Sequence, residues 1–76
     1  MSQPRLLLET LNSQKEWTAG LELLQAQPRI ARWSLYVYLA ELEDAGFVRF
    51  RYRGSTRQRE YEITSRGRAA LLRDDL

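Results

Sequence analysis

Residues 29–46 read RIARWSLYVYLAELEDAG, and the folding of this stretch decides how the rest of the chain must be arranged. Leu35, Leu39 and Leu42 are spaced four and three apart. At about 100° per residue they share one helical face, with Ala31 and Tyr38 beside them. The opposite face carries Trp33, Tyr36, Val37 and Ala40, and Arg29 and Arg32 stand at the leading end. One face of such a helix packs, and the other offers aromatic rings and guanidinium groups to something flat and anionic. Gly46 stops the helix, because glycine takes the positive φ that follows many helix ends at no steric cost. The spacing therefore predicts a helix over residues 31–45.

Upstream, Pro4 suits a first helical position, where its missing N–H would be unpaired in any case. Leu7, Leu8 and Leu11 then give an apolar face, so a first helix is expected over about 4–12, with Glu9 on its polar side. Residues 13–17 allow two readings. Ser13 with Glu16 has capping-box spacing and could start a helix at once. Alternatively Lys15 to Trp17 is a short extended piece, and Thr18 caps a second helix over about 19–26 with Leu21 and Leu24 inward. Pro28 cannot continue that helix and pushes Gln27 from helical angles. A tight turn near 27–30 follows. Two helices joined by a short turn form the helix-turn-helix pattern.

Downstream of Gly46 the period falls from 3.6 to 2. Val48, Phe50 and Tyr52 alternate with Arg49, Arg51 and Arg53, which is the mark of a strand with one apolar face. Gly54-Ser55 can form a two-residue turn with glycine first, returning the chain as a second strand through residues 57–63. With that loop, paired residue numbers sum to 109: Val48 meets Tyr61, Arg49 meets Glu60 and Phe50 meets Arg59. This leaves Arg51 opposite the neutral Gln58 and Arg53 beside the turn, as free cations. The hairpin spans about 47–63. Thr64 can cap a last helix over 65–73, with Leu71 and Leu72 inward. The expected class is α+β, mostly α, in the order α-α-α-β-β-α, with room for a minimal extra strand near Trp17.

Seventy-six residues make a single domain over 1–76. Hydrophobic content of 43% and charged content of 29% suit a globular domain, and the N-terminus lacks the pattern of a secretion signal, so a cytoplasmic protein is expected. The chain has no cysteine and no histidine, which removes the disulfide framework, the thiolate nucleophile and the usual zinc ligands. Glu41, Glu43 and Asp44 are carboxylates on one solvated helix without an acid-base partner, so neither an enzyme nor a metal or other cofactor is expected. The net charge is only +2, but its distribution is uneven. Residues 1–28 hold two cations against three acids, whereas residues 29–76 hold ten arginines against seven acids. Arg49, Arg51, Arg53, Arg57 and Arg59 fall within eleven residues that contain no acid. Eleven of the twelve cations are arginine, the side chain suited to forked contacts with phosphate and guanine.

From Trp33 onward the chain resembles the PadR and MarR-like winged helix-turn-helix regulators. Ser34-Leu35-Tyr36, followed by Leu39, Leu42 and Gly46, looks like the PadR recognition helix with its S-L-Y, L-x-x-L and terminal glycine. The basic hairpin looks like the wing. Tyr61-Glu62-Ile63-Thr64, followed by Gly67-Arg68 and Leu71, is similar to the stretch that follows the wing in that family. More loosely, residues 17–23 resemble the start of its second helix. The resemblance covers about residues 17–72.

That resemblance implies a sequence-specific regulator of transcription, a repressor more than an activator, that binds double-stranded DNA as a homodimer on a palindromic site. The family dimerises largely through long helices outside the wing, and the last helix here is short and runs into Asp74-Asp75. In this reading the 31–45 helix enters the major groove, and Arg29, Arg32, Trp33, Ser34 and Tyr36 reach base edges or flanking phosphates. Arg51, Arg53, Ser55, Thr56, Arg57 and Arg59 on the wing hold phosphate or enter the minor groove. Plainer readings stand beside these. Tyr38 borders the leucine seam and can be a core residue, Tyr36 can serve either purpose, and Arg29 and Arg32 can be solvated. The wing arginines can protect an edge strand. Arg66 and Arg68 sit where a helix dipole disfavours cations. A second reading makes the chain a protein-interaction winged helix, such as a phage- or plasmid-encoded subunit, that binds a protein partner through Trp33 and Tyr36.

Overall fold

A computed structural model describes residues 2–14 and 16–73. The order is α1 (Gln3–Ser13), β1 (Thr18–Ala19), α2 (Gly20–Ala26), α3 (Arg32–Asp44), β2 (Val48–Tyr52), β3 (Arg59–Ile63) and α4 (Ser65–Arg73). The strands form one antiparallel sheet in the order β1-β3-β2. α1 opens with Ser2 Oγ accepting from the Arg5 backbone N–H at 3.2 Å. It buries Leu7, Leu8 and Leu11 while Leu6 is half-buried.

The ambiguous 13–17 region resolves into the end of α1 and a minimal strand. Ser13 starts no helix; its hydroxyl donates to the Thr10 carbonyl at 2.8 Å inside α1. Thr18 is not a cap either. It pairs with Tyr61 of β3, and its hydroxyl donates to the Glu16 carbonyl at 3.2 Å. The residue before α2 is Ala19, and the Glu22 carboxylate accepts its N–H at 3.4 Å. The sheet claims Thr18 because two residues of pairing cover an otherwise open edge of β3. Lys15, the start of the expected extended piece, lies outside the described residues.

α2 turns Leu23 fully inward and Leu24 partly, whereas Leu21, expected inward, is 54% exposed. Leu21 lies about 200° round the helix from Leu23, so the two cannot share the core. Gln27 leaves the helix at φ −128° and ψ 72°, before Pro28 as its ring requires. The Ile30 N–H then donates to the Gln27 carbonyl at 3.1 Å, and Ile30 is buried in the core.

In α3, Leu35, Leu39 and Leu42 are each at most 2% exposed, forming the seam that the spacing predicts. Ala31 precedes the helix and is exposed rather than beside the seam. Tyr38 is half-buried against the core and its hydroxyl donates to Gln3 Oε1 at 2.7 Å, tying α3 to α1. Past Asp44, Gly46 takes φ +80°, the Gly46 N–H donates to the Glu43 carbonyl at 2.9 Å and the Phe47 N–H to the Leu42 carbonyl at 2.9 Å. This is a Schellman end, and it turns the chain directly into β2.

The hairpin register differs from expectation by two residues. Val48 pairs with Ile63, Arg49 with Glu62, Phe50 with Tyr61, Arg51 with Glu60 and Tyr52 with Arg59, so paired numbers sum to 111. A shift of two keeps each side chain on its face, so apolar alternation alone does not separate the registers. The loop does. Gly54 stands at φ +55° and the Thr56 N–H donates to the Arg53 carbonyl at 3.0 Å, so a turn forms at the expected glycine. Pairing resumes only where the Arg53 N–H donates to the Gln58 carbonyl at 2.8 Å, leaving residues 54–57 as a four-residue loop.

α4 is capped by Thr64, whose hydroxyl accepts from the Gly67 N–H at 3.1 Å and donates to the Gly46 carbonyl at 2.7 Å. Gly67 packs so close to the start of β2 that a Cβ there would stand 2.2 Å from the Phe47 carbonyl oxygen. Ala70 is buried and Leu71 partly so, but Leu72, expected inward, is 89% exposed. Asp74 and Asp75 lie outside the described residues. Among the described residues, no helix is long and apolar enough to cross a membrane.

Candidate nucleic-acid interface

The outer face of α3 is open. Trp33 is 79% exposed and Tyr36 43%, while Arg29, Arg32 and Ala40 are exposed and Ser34 is half-buried. Among the described residues, no carboxylate pairs with Arg29 or Arg32. No side-chain oxygen caps the first turn of α3, so its leading N–H groups point outward beside Arg32. The Tyr36 ring rests against α2, close enough that a Cβ on Gly20 would lie 2.9 Å from its hydroxyl. Tyr36 thus both spaces α3 from α2 and keeps an exposed edge.

A cleft of about 510 Å³ separates α3 from the hairpin. Its walls include Arg32, Tyr36 and Glu43 from α3, Leu21 from α2, and Arg57 and Arg59 from the hairpin. The Arg59 guanidinium carbon stands 4.2 Å from the Phe50 ring centroid and 5.8 Å from that of Tyr52, so cation–π contact holds it at the wall of the cleft. Arg57 is exposed in the loop with Ser55 and Thr56, and the Thr56 hydroxyl donates to the Arg53 carbonyl at 2.6 Å. Tyr61 is buried below, and that burial pushes its phenol above the ordinary tyrosine range.

The other face of the hairpin is closed by its own carboxylates. Arg49 Nε donates to Glu62 at 2.8 Å and Arg51 Nε to Glu60 at 3.1 Å. Arg53 Nε donates to Glu60 at 2.8 Å, and Arg53 Nη2 reaches Glu22 of α2 at 2.9 Å. Trp17 lies beneath this row, 4.5 Å from the Arg51 guanidinium and 5.2 Å from that of Arg49. The hydrogen bond from Arg53 above all, aided by Arg51 and opposed by burial, holds the Glu60 carboxyl below its ordinary value. Arg51 and Arg53 are therefore not the free cations that the 109 register makes them. Of the five hairpin arginines, three are occupied on one face, and Arg57 and Arg59 remain on the side of α3.

Solved structures that share this architecture include the following three. The transcriptional regulator YodB of B. subtilis, in its reduced form, superposes with a TM-score of 0.81 at 21% identity, over 99% of this chain and 72% of its own. A PadR family transcription regulator from Clostridium difficile R20291 gives 0.79 at 15% identity, over 97% and 84%. BpsR of Bordetella bronchiseptica, whose DNA binding is regulated by 6-hydroxynicotinic acid, gives 0.77 at 11%, over 96% of this chain and 55% of that one. The fold is a winged helix. No family model matches the sequence, and no curated protein matches it, so the likeness is carried by structure alone.

In winged-helix terms α2 and α3 are the helix-turn-helix and β2–β3 the wing. The structure brings Arg32 and Tyr36 of the helix together with Arg57 and Arg59 of the wing around one cleft. Arg29, Trp33 and Ser34 sit outside its lining, as does the Arg51–Arg53 row. Sequence reasoning missed Glu22, Glu60 and Trp17 as the partners of that row. Charge matching could have found two of the carboxylate pairs: the 111 register sets Arg49 and Arg51 opposite Glu62 and Glu60, and Phe50 opposite Tyr61 instead of Arg59.

Proposed function

We propose that this chain is a sequence-specific regulator of transcription that binds double-stranded DNA, acting as a repressor. The observation that supports this most is the convergence of arginines from two elements, Arg32 of α3 and Arg57 of the wing, on one cleft beside a freely exposed Trp33. Among the described residues, neither arginine pairs with a carboxylate. Glu43 is the one acid among the described residues that line the cleft, against Arg32, Arg57 and Arg59, so the cleft keeps an excess of positive charge that a phosphate run would neutralise. In this reading α3 enters the major groove. Arg32, and Arg29 just before it, read guanine or grip a flanking phosphate, and Trp33, Ser34 and the edge of Tyr36 line the base contacts. The wing tip, with Ser55, Thr56, Arg57 and Arg59, holds the backbone. The likeness to two transcriptional regulators and to a protein whose DNA binding is regulated supports the same choice. A homodimer on a palindrome fits the exposure of Leu72 on α4, an apolar side chain that a second copy would cover.

The test is binding of a mixed-sequence duplex across a salt series, read by fluorescence anisotropy. Binding that weakens steeply and linearly in log salt is the expected result. Absence of binding at low salt contradicts the reading.

A further inference from the structure

Glu60 has an unusual position for a carboxylate on a wing. Its side chain is only 8% exposed, yet it accepts from two guanidinium groups, Arg51 and Arg53, both of which are about half exposed. Glu22 reaches across from α2 to Arg53, and Glu16, Glu62 and Trp17 complete the surroundings of that face. If Arg51 and Arg53 turned to DNA phosphates, Glu60 would be left buried without a counter-charge and close to further anions. A buried charge that loses its partner is strongly unfavourable. These arginines also bring less to a phosphate, since the carboxylate already neutralises them, so the counterion release that drives phosphate binding is offset by the loss of that pairing.

We propose that Glu60, assisted by Glu22, is a specificity-determining residue: an internal counter-anion that withholds Arg51 and Arg53 from DNA and so limits binding to non-cognate duplex. The inference rests on the DNA-binding reading above. Five mobile wing arginines would grip any duplex, because phosphate contact carries no sequence information. Holding Arg51 and Arg53 on Glu60, beside Arg49 on Glu62, leaves the wing weaker on arbitrary DNA and throws discrimination onto α3. The same bonds fix the wing against α2, which keeps Arg57 and Arg59 turned towards the cleft.

The experiment measures the slope of log affinity against log salt on a mixed-sequence 20-base-pair duplex, using the full chain and its variants. Glu60→Gln frees Arg51 and leaves Arg53 with Glu22 alone, so its slope should steepen by up to about 0.9 for each additional phosphate neutralised, with tighter binding to arbitrary duplex. Arg51→Gln and Arg53→Gln, made singly so that Glu60 keeps one partner, should each leave the slope unchanged. These single variants also decide the matter if Glu60→Gln does not fold: flattening by about 0.9 in either would show that arginine on phosphate and overturn the proposal. An unchanged slope in a folded Glu60→Gln, checked by circular dichroism, overturns it too. Should the parent chain bind no duplex at all, the functional reading fails. In that case a gain of duplex binding by the Glu22→Gln/Glu60→Gln pair still supports the counter-anion, and no gain refutes it.

Discussion

Arg32 at the start of α3 and Arg57 in the wing loop line the same cleft, although 25 positions separate them in the chain. The two differ in what they can report. Arg57 is on the wing loop, which the proposed reading sets on backbone phosphate. Arg57→Gln should weaken binding to all duplexes about equally and flatten the salt slope by roughly 0.9. Its fold stability should stay within about 0.5 kcal/mol, as for most exposed substitutions. Arg32→Gln should instead change which sequence is preferred, relaxing one base position by about 1–3 kcal/mol. Competition between single-base variants of a bound site separates the two outcomes.

Leu39→Ala should damage folding. Leu39 is 1% exposed at the centre of the α3 seam, and truncating a buried leucine costs about 2–5 kcal/mol. A domain of 76 residues has roughly 4–11 kcal/mol in all, so about half could be lost. Urea denaturation should show a lower midpoint at unchanged m-value; an unchanged midpoint would refute the packing assignment.

The seam was legible because period 3.6 over one long helix has a single solution, and so was the strand alternation after Gly46. The Gly46 end and the Thr64 cap rest on local chemistry, which sequence states directly. The wing register was not legible from alternation, since a slip of two residues preserves both faces. Loop length decides it, and that depends on where pairing resumes after the Gly54 turn, at Arg53 and Gln58. The consequence was large for the candidate site, because the slip moves Glu60 from Arg49 to Arg51. Leu21 and Leu72 were misplaced for a different reason. A seven-residue helix and a nine-residue helix carry too few turns for their apolar residues to define one face.

Gly67→Ala should be destabilising out of proportion to one methyl group. Its Cβ would stand 2.2 Å from a backbone oxygen and 2.8 Å from Ile63 Cγ1, and neither the start of β2 nor the buried Ile63 can easily move aside. Overpacking of this kind costs about 1–3 kcal/mol. The cost should appear in the same urea assay, with Ala69→Gly on the same helix as a control for helix propensity.

The wing should be labile to acid. Glu60 is held below its ordinary pKa, first by Arg53, so folding binds fewer protons at this carboxyl than the unfolded chain does. Its contribution to stability is therefore full above the unfolded value, near about 4.3, and disappears as pH falls through the folded one. A pH series of urea midpoints should decline below about pH 5, and Glu60→Gln should make that decline shallower. An identical acid limb in the variant would show that the Arg51–Glu60–Arg53 cluster adds nothing to the pH dependence.

Selection of bound sites from random duplex DNA tests the central claim most directly. The account predicts recovery of one sequence with two-fold symmetry, whose half-sites contain a guanine that loses its preference in Arg32→Gln. Recovery of unenriched random sequence by a folded chain, at a salt concentration where mixed duplex is released, would contradict sequence-specific DNA binding.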